Sequence, residues 1–126
     1  MENKEILRQA RHIAVIGVTQ NHDKYGYKIY QKLKELQKHV YGVSPIYNEI
    51  EGDKTYPSIL DIPEAIDMAV FVVNPKLGSE YVKQCHEKHV PLIWLQPSTY
   101  DDQLLSEIEK ANIQSIQACV LVEADK

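Results

Sequence analysis

His12-Ile13-Ala14-Val15-Ile16-Gly17, running on through Val18-Thr19-Gln20-Asn21-His22-Asp23-Lys24-Tyr25-Gly26, reads as a strand, a polar loop and the start of a helix. A continuous apolar run ending in glycine suits a central parallel strand covered on both faces. From Gly26 to Lys38, Ile29, Leu33 and Leu36 recur at helical spacing with lysines opposite them. In an open α/β sheet the first strand-to-helix turn is where a phosphate-bearing ligand lies. Glycine lets the ligand approach the backbone, and free N–H groups at the helix start attract the anion. The three-glycine dinucleotide fingerprint is incomplete, because Thr19 stands at the second glycine and the loop runs longer before Gly26.

Outward from this unit the chain alternates strand and helix, without repeats or low-complexity linkers. A short helix is expected over Glu5–Ala10. A second strand, Val40–Val43, stops at Ser44-Pro45. The stretch from Ile46 to Ile66 is irregular; Ser58 and Asp61 have capping-box spacing, and Pro63 limits any helix there to about one turn. The third strand is expected over Asp67–Val73, broken by Asn74-Pro75, with a helix over Ser79–His89. The fourth is Pro91–Leu95, closed by Gln96-Pro97-Ser98. Thr99 and Asp102 are the expected caps of a helix whose inner face carries Leu104, Leu105, Ile108 and Ala111. Ile113–Val120 is the weaker fifth strand, at an edge. Right-handed crossovers then give an α/β, Rossmann-like, doubly wound parallel sheet of five strands in the order 3-2-1-4-5, with helices on both faces.

The 126 residues suit one domain, 1–126, with a proper core. Hydrophobic residues at 44% and charged ones at 25% are ordinary globular values. A net charge of −4 with scattered lysines and arginines argues against a nucleic-acid partner. No apolar run reaches the ~20 residues a membrane span needs, and the first residues carry no signal core. Cys85 and Cys119 lack metal or redox spacing and read as reduced thiols of a cytoplasmic protein. The apolar residues of the Ile113–Val120 edge suggest a possible homodimer.

Polar residues collect just past the strand ends, and each has a plain reading beside a functional one. Gly17 and Gly26 serve either a tight turn with close helix–strand packing or a phosphate loop. Lys24 is either a solvated helix-start lysine or the partner of an anion, the latter giving a reason for a cation that otherwise opposes the helix dipole. Asn74-Pro75 ends a buried strand or touches a ligand, and Gln96 is a turn residue or a ligand contact. At the end of the second strand, where an NAD site places a ribose-binding acid, the chain reads Val43-Ser44-Pro45. No metal set is present: His86 and His89 are three apart and lack a third ligand. No nucleophile has a base and an orienting partner, and no G-x-S-x-G elbow exists, so no catalytic residue is named.

Ala14-Val15-Ile16-Gly17, Val43-Ser44-Pro45, Tyr56-Pro57-Ser58-Ile59-Leu60-Asp61-Ile62-Pro63, Ile66–Val70 and Trp94-Leu95-Gln96 together resemble the small single-domain CoA-binding protein family. That family is similar to the nucleotide-binding domain of the succinyl-CoA synthetase alpha subunit. The likeness spans roughly residues 10 to 120. It implies a Rossmann-like fold with coenzyme A, free or acylated, across the strand ends. Carried over by position, it implies that Gly17-Val18-Thr19 and Lys24-Tyr25-Gly26 hold phosphates. Ser44-Pro45 and Asn74-Pro75 would then flank the adenosine or the pantetheine arm. The synthetase's phosphorylated histidine lies in a second domain outside this likeness. The expected function is therefore non-catalytic binding of CoA or an acyl-CoA. The alternative is an NADP- or acyl-CoA-dependent enzyme whose site is shared between subunits. A Gly26→Glu substitution is expected to block the ligand while the domain still folds.

Overall fold

Side chains alternate along the central strands between two apolar layers, as expected for a sheet covered on both faces. The computed structural model covers all 126 residues. Its elements are α1 (Asn3–Gln9), β1 (His12–Ile16), α2 (Tyr25–Glu35), β2 (His39–Val43), β3 (Glu49–Ile50), β4 (Asp53–Tyr56), β5 (Met68–Phe71), α3 (Pro75–Lys88), β6 (Leu92–Leu95), α4 (Asp102–Lys110), β7 (Gln114–Gln117) and α5 (Val120–Ala124). Ala14, Ile16, Ala69, Phe71, Ile93 and Leu95 pack beneath α3 and α4. Ile13, Val15, Met68, Val70 and Trp94 meet α1, α2 and α5 on the other face. The single turn expected between Ser58 and Pro63 is a 3-10 turn, Ile59–Asp61, with the Ser58 hydroxyl accepting from the Leu60 N–H.

The sheet differs from the expected one in strand number and order. It has seven strands, β3-β4-β2-β1-β5-β6-β7, rather than five in the order 3-2-1-4-5. All neighbours are parallel except β3 and β4. The strand expected third, now β5, pairs with β1 and not outside β2. The place beside β2 is taken by β4, which lies in the stretch read as irregular. Asp53-Lys54-Thr55-Tyr56 carries no apolar run, and only Thr55 of these is buried, so no hydrophobic pattern marks it. A two-residue turn makes the β3–β4 hairpin: Glu51 at φ 52° and Gly52 at φ 84° both take the positive values of a type I′ turn.

Polar contacts fasten this hairpin to α2. The Tyr30 hydroxyl donates to Asp53 at 2.8 Å, and Lys34 pairs with the same carboxylate. Lys34, and after it the Tyr30 hydroxyl, hold the Asp53 carboxyl below the usual aspartate range. A depressed folded-state pKa stabilises at pH values above the unfolded one, and that stability disappears as pH falls through the folded value. Asp53→Asn is thus expected to flatten the acid limb of the stability curve below about pH 4. Both partners are well exposed, so the loss at neutral pH should be small. Urea midpoints of the two proteins across pH 2 to 7 would check this; identical acid limbs would remove Asp53 from the balance.

Three further boundaries move. The helix expected from Ser79 begins at Pro75, with Pro75 in the first turn and Asn74 as its cap. Asp101, and not Thr99 or Asp102, caps α4, its carboxylate accepting from the Leu104 N–H at 2.8 Å. The last strand ends at Gln117, and Val120 opens α5. β7 is an edge as expected, but Gln114, Ser115 and Gln117 are exposed and Ile116 alone is buried. The apolar edge on which a homodimer was expected is therefore polar.

Candidate functional site

Strand order in the sheet reverses between β1 and β5, and their carboxyl ends open a crevice there, the usual ligand position in such sheets. A cleft of about 740 Å³ runs from the β1–α2 loop past the ends of β5 and β6 to the residues after β7. It brings together Gly17, Thr19, Lys24, Tyr25, Gly26, Asn74 and Gln96 from the residues picked out in the sequence. It adds Val72, Val73, Pro97, Ser98, Thr99 and Cys119. The wall holds a lysine and no carboxylate, within a chain of net charge −4.

Two glycines set the geometry of the loop. Gly17 has φ +98°, and its N–H bonds to the Val43 carbonyl at 3.0 Å, which turns the chain off β1. A Cβ at Gly26 would stand 2.3 Å from the Gly17 carbonyl oxygen, so α2 rests directly on the backbone of the turn. The plain reading of Gly26, close helix–strand packing, therefore holds whatever ligand is present. It also overturns the expectation for Gly26→Glu: any side chain there strikes backbone, so that variant disturbs folding before it can report on a ligand.

The start of α2 lacks what the other long helices possess. Asn74 accepts from Leu77 N–H at 3.0 Å over α3, and Asp101 caps α4. Lys24, at the cap of α2, supplies no side-chain acceptor, and no acidic residue lies in its first turn. The Tyr25 and Gly26 N–H groups have no protein acceptor. The partial positive charge of the helix start, reinforced by Lys24, faces the cleft.

The loop before α2 is held by the hairpin. Thr19 accepts from the Asn21 N–H and donates to the Tyr47 hydroxyl, and Gln20 donates to the Glu49 carbonyl at 2.9 Å. His22, a loop histidine that could have met an anion, stacks on Tyr27 at 4.0 Å and faces the Glu51 carboxylate at 3.3 Å. It is turned toward the hairpin.

Four of the residues picked out in the sequence lie elsewhere. Val18 is buried at 2% exposure, its N–H bonds to Val43, and a methyl group of its side chain fills the space above Gly42. Ser44 is also buried, and its hydroxyl accepts from the Ile46 and Tyr47 N–H groups to hold the turn after β2. Pro45 is exposed on that turn, and Pro75 opens α3. A dinucleotide's ribose-binding acid has no counterpart at Ser44, whose hydroxyl serves its own backbone.

At the far end, Gln96-Pro97-Ser98-Thr99 form a type II turn, with Ser98 at φ 72° and the Thr99 N–H bonded to the Gln96 carbonyl. Gln96 is 3% exposed, and its Oε1 accepts from the Val120 N–H at 2.7 Å. This bond fixes which end of the amide is oxygen and places Nε2 on the other side. Nothing in the sequence marked Cys119, since its entry into the cleft depends on how β7 and α5 meet.

Comparison with known proteins agrees with this architecture. A hypothetical protein from Pyrococcus horikoshii OT3 superposes with a TM-score of 0.92 at 32% identity, over 97% of this chain and 87% of the other. The chain is 42% identical over 78 residues to the acetate–CoA ligase (ADP-forming) I of Archaeoglobus fulgidus. That match covers 62% of this chain and 11% of the ligase. The corresponding shares for the alpha subunit of Pyrococcus furiosus acetate–CoA ligase (ADP-forming) II are 64% and 18%, at 40% identity. The chain thus spans only a small part of the curated ligases it matches. YneT of Bacillus subtilis, whose role is not characterised, aligns over 96% of this chain and 90% of its own length at 25% identity. The family model described as CoA binding domain matches residues 11–125, and the chain belongs to that family.

Proposed function

We propose that the strand-end cleft holds coenzyme A, free or acylated, and that the chain is a non-catalytic binder of it. The observation that carries this reading is the uncapped start of α2, with two free N–H groups and Lys24 opening onto a cleft without carboxylates. A pyrophosphate is the natural complement of such a helix start. The adenosine then lies toward the end of β2, beside the exposed Pro45. The pantetheine arm runs the other way, over Val72–Asn74 toward Gln96. The ligase names of the longer relatives support the cofactor. The cleft offers no carboxylate or histidine to act as acid or base.

Thermal melting tests the reading. A ligand that binds only the folded state adds about 2.7 kcal/mol at roughly a hundredfold excess over Kd. For a chain of this size that raises the midpoint by about 5 to 15 °C. CoA should give this rise and NAD should not, because Ser44 stands where NAD needs an acid. A rise with NADP and none with CoA would favour a dehydrogenase-like ligand instead. No rise with any of the three would remove the cleft as a nucleotide site for the isolated chain.

A further inference from the structure

The CoA reading leaves Cys119 without a role, although it lies in the wall of the cleft at the end opposite the α2 loop. β1, which ends at the phosphate loop, and β7, which leads to Cys119, are three strand spacings apart in the sheet. At roughly 4.8 Å per spacing this is about 14 Å, the scale of an outstretched pantetheine arm. A thiol-bearing arm anchored by its phosphates at α2 therefore ends near this cysteine.

A second feature independently points to a ligand at the same end. The Gln96 Nε2 makes no hydrogen bond within the protein. No side-chain polar atom of the molecule is both sealed from solvent and unpartnered. The small residual exposure of Gln96 thus includes this amide group, which opens into the cleft. A side chain this buried with an idle donor is suited to the carbonyls of an amide-rich arm.

The other thiol makes a useful contrast. Cys85 is wholly buried on the inner face of α3, and burial pushes its pKa up to about 12. It is sealed from any reagent, whereas Cys119 is partly exposed.

Resting on the CoA reading, we propose that Cys119 exchanges with the disulfide form of the ligand and retains one CoA as a mixed disulfide. The Cys119 thiol loses its proton to solvent, and the thiolate attacks the nearer sulfur of a CoA disulfide seated in the cleft. A Cys119–sulfur bond forms and the CoA–CoA sulfur bond breaks. Its electron pair leaves with the second CoA, which takes up a proton as free thiol. One disulfide is consumed and one is made, so no further oxidant is needed. Release requires an added thiol, which makes retention of the ligand depend on the redox state around the protein.

The test uses the full chain, CoA disulfide and intact-mass measurement, with CoA melting shifts run in parallel. The wild-type chain should gain one CoA less two hydrogen atoms and lose it again with dithiothreitol. Cys119→Ser should gain nothing. If the cleft guides the reaction, CoA disulfide should react roughly tenfold or more faster than hydroxyethyl disulfide, as expected for a bound and oriented partner. Desulfo-CoA should remove that advantage. A CoA melting shift without an adduct at Cys119 would overturn the proposal and leave the binding reading intact. Equal rates with both disulfides would overturn it too, since the chemistry would then be unguided. Absence of both shift and adduct would overturn the two together.

Discussion

Gly26→Ala should lower the melting midpoint by about 10 °C or more, the largest effect on stability expected from adding one methyl group to this chain. The added Cβ would lie 2.3 Å from the Gly17 carbonyl oxygen, which belongs to the backbone and cannot rotate away. Relief requires α2 to lift from β1, opening the packing of Ile29 and Leu33 against Ile13 and Val15. Overpacking of this kind costs about 3 kcal/mol at the upper end of its usual range. For a domain of this size that corresponds to a midpoint shift of about 10 °C. Lys24→Ala, two residues earlier and exposed, should stay within about 0.5 kcal/mol of the parent. Differential scanning calorimetry of the two variants separates the roles: the glycine sets the distance between helix and strand, and the lysine sets the field at the helix start. An alanine variant melting with the parent would mean that α2 can slide outward freely.

Gln96→Glu should weaken CoA binding about tenfold to a hundredfold while the chain remains folded. The retained carboxylate oxygen can still accept from Val120 N–H, the bond that seats α5. What changes is the other atom, where an N–H donor becomes an anionic acceptor facing the cleft. Loss of one hydrogen bond at a buried position costs about 1.5 to 3 kcal/mol when a charge is involved, which is the stated range in affinity. Gln96→Leu makes the complementary case. It leaves the buried Val120 N–H without a partner, and should destabilise by about 1 to 3 kcal/mol. Isothermal titration with CoA and urea unfolding on both variants would resolve the two functions of one amide. Undiminished CoA affinity in Gln96→Glu would take this residue out of the site.

The strand-loop-helix unit from His12 to Gly26 was legible because its signals are local. An apolar run, a turn glycine and a helical period need no distant partner to be recognised. Residues at the ends of hydrophobic strands were legible for the same reason: Gly17, Asn74 and Gln96 follow runs that must be buried, so they must come to one rim. The β3–β4 hairpin left no such trace. Its strands sit at the margin of the sheet, and they are joined to α2 by Tyr30, Lys34 and Asp53 around one buried apolar side chain, Ile50, too little to make a pattern. The strand order depended on that hairpin, since β4 fills the place beside β2 and leaves β5 to pair with β1.

Local chemistry also could not say which way a polar side chain would be used. Ser44 and Val18 stand in the right segments, yet Ser44 holds its own turn and Val18 fills the space above Gly42. His22 lies in the phosphate loop but is drawn off by Tyr27 of the next helix and by the Glu51 carboxylate of the hairpin turn. Cys119 reaches the cleft because the Gln96 amide fixes the start of α5 across 24 residues of sequence. Periodicity and glycine placement sufficed for the sheet-and-helix class and for the rim that carries the cleft, because burial of apolar runs is enforced by the chain itself. The membership of the cleft wall depended on long-range hydrogen bonds between polar groups, whose partners are chosen by geometry after the layers have packed.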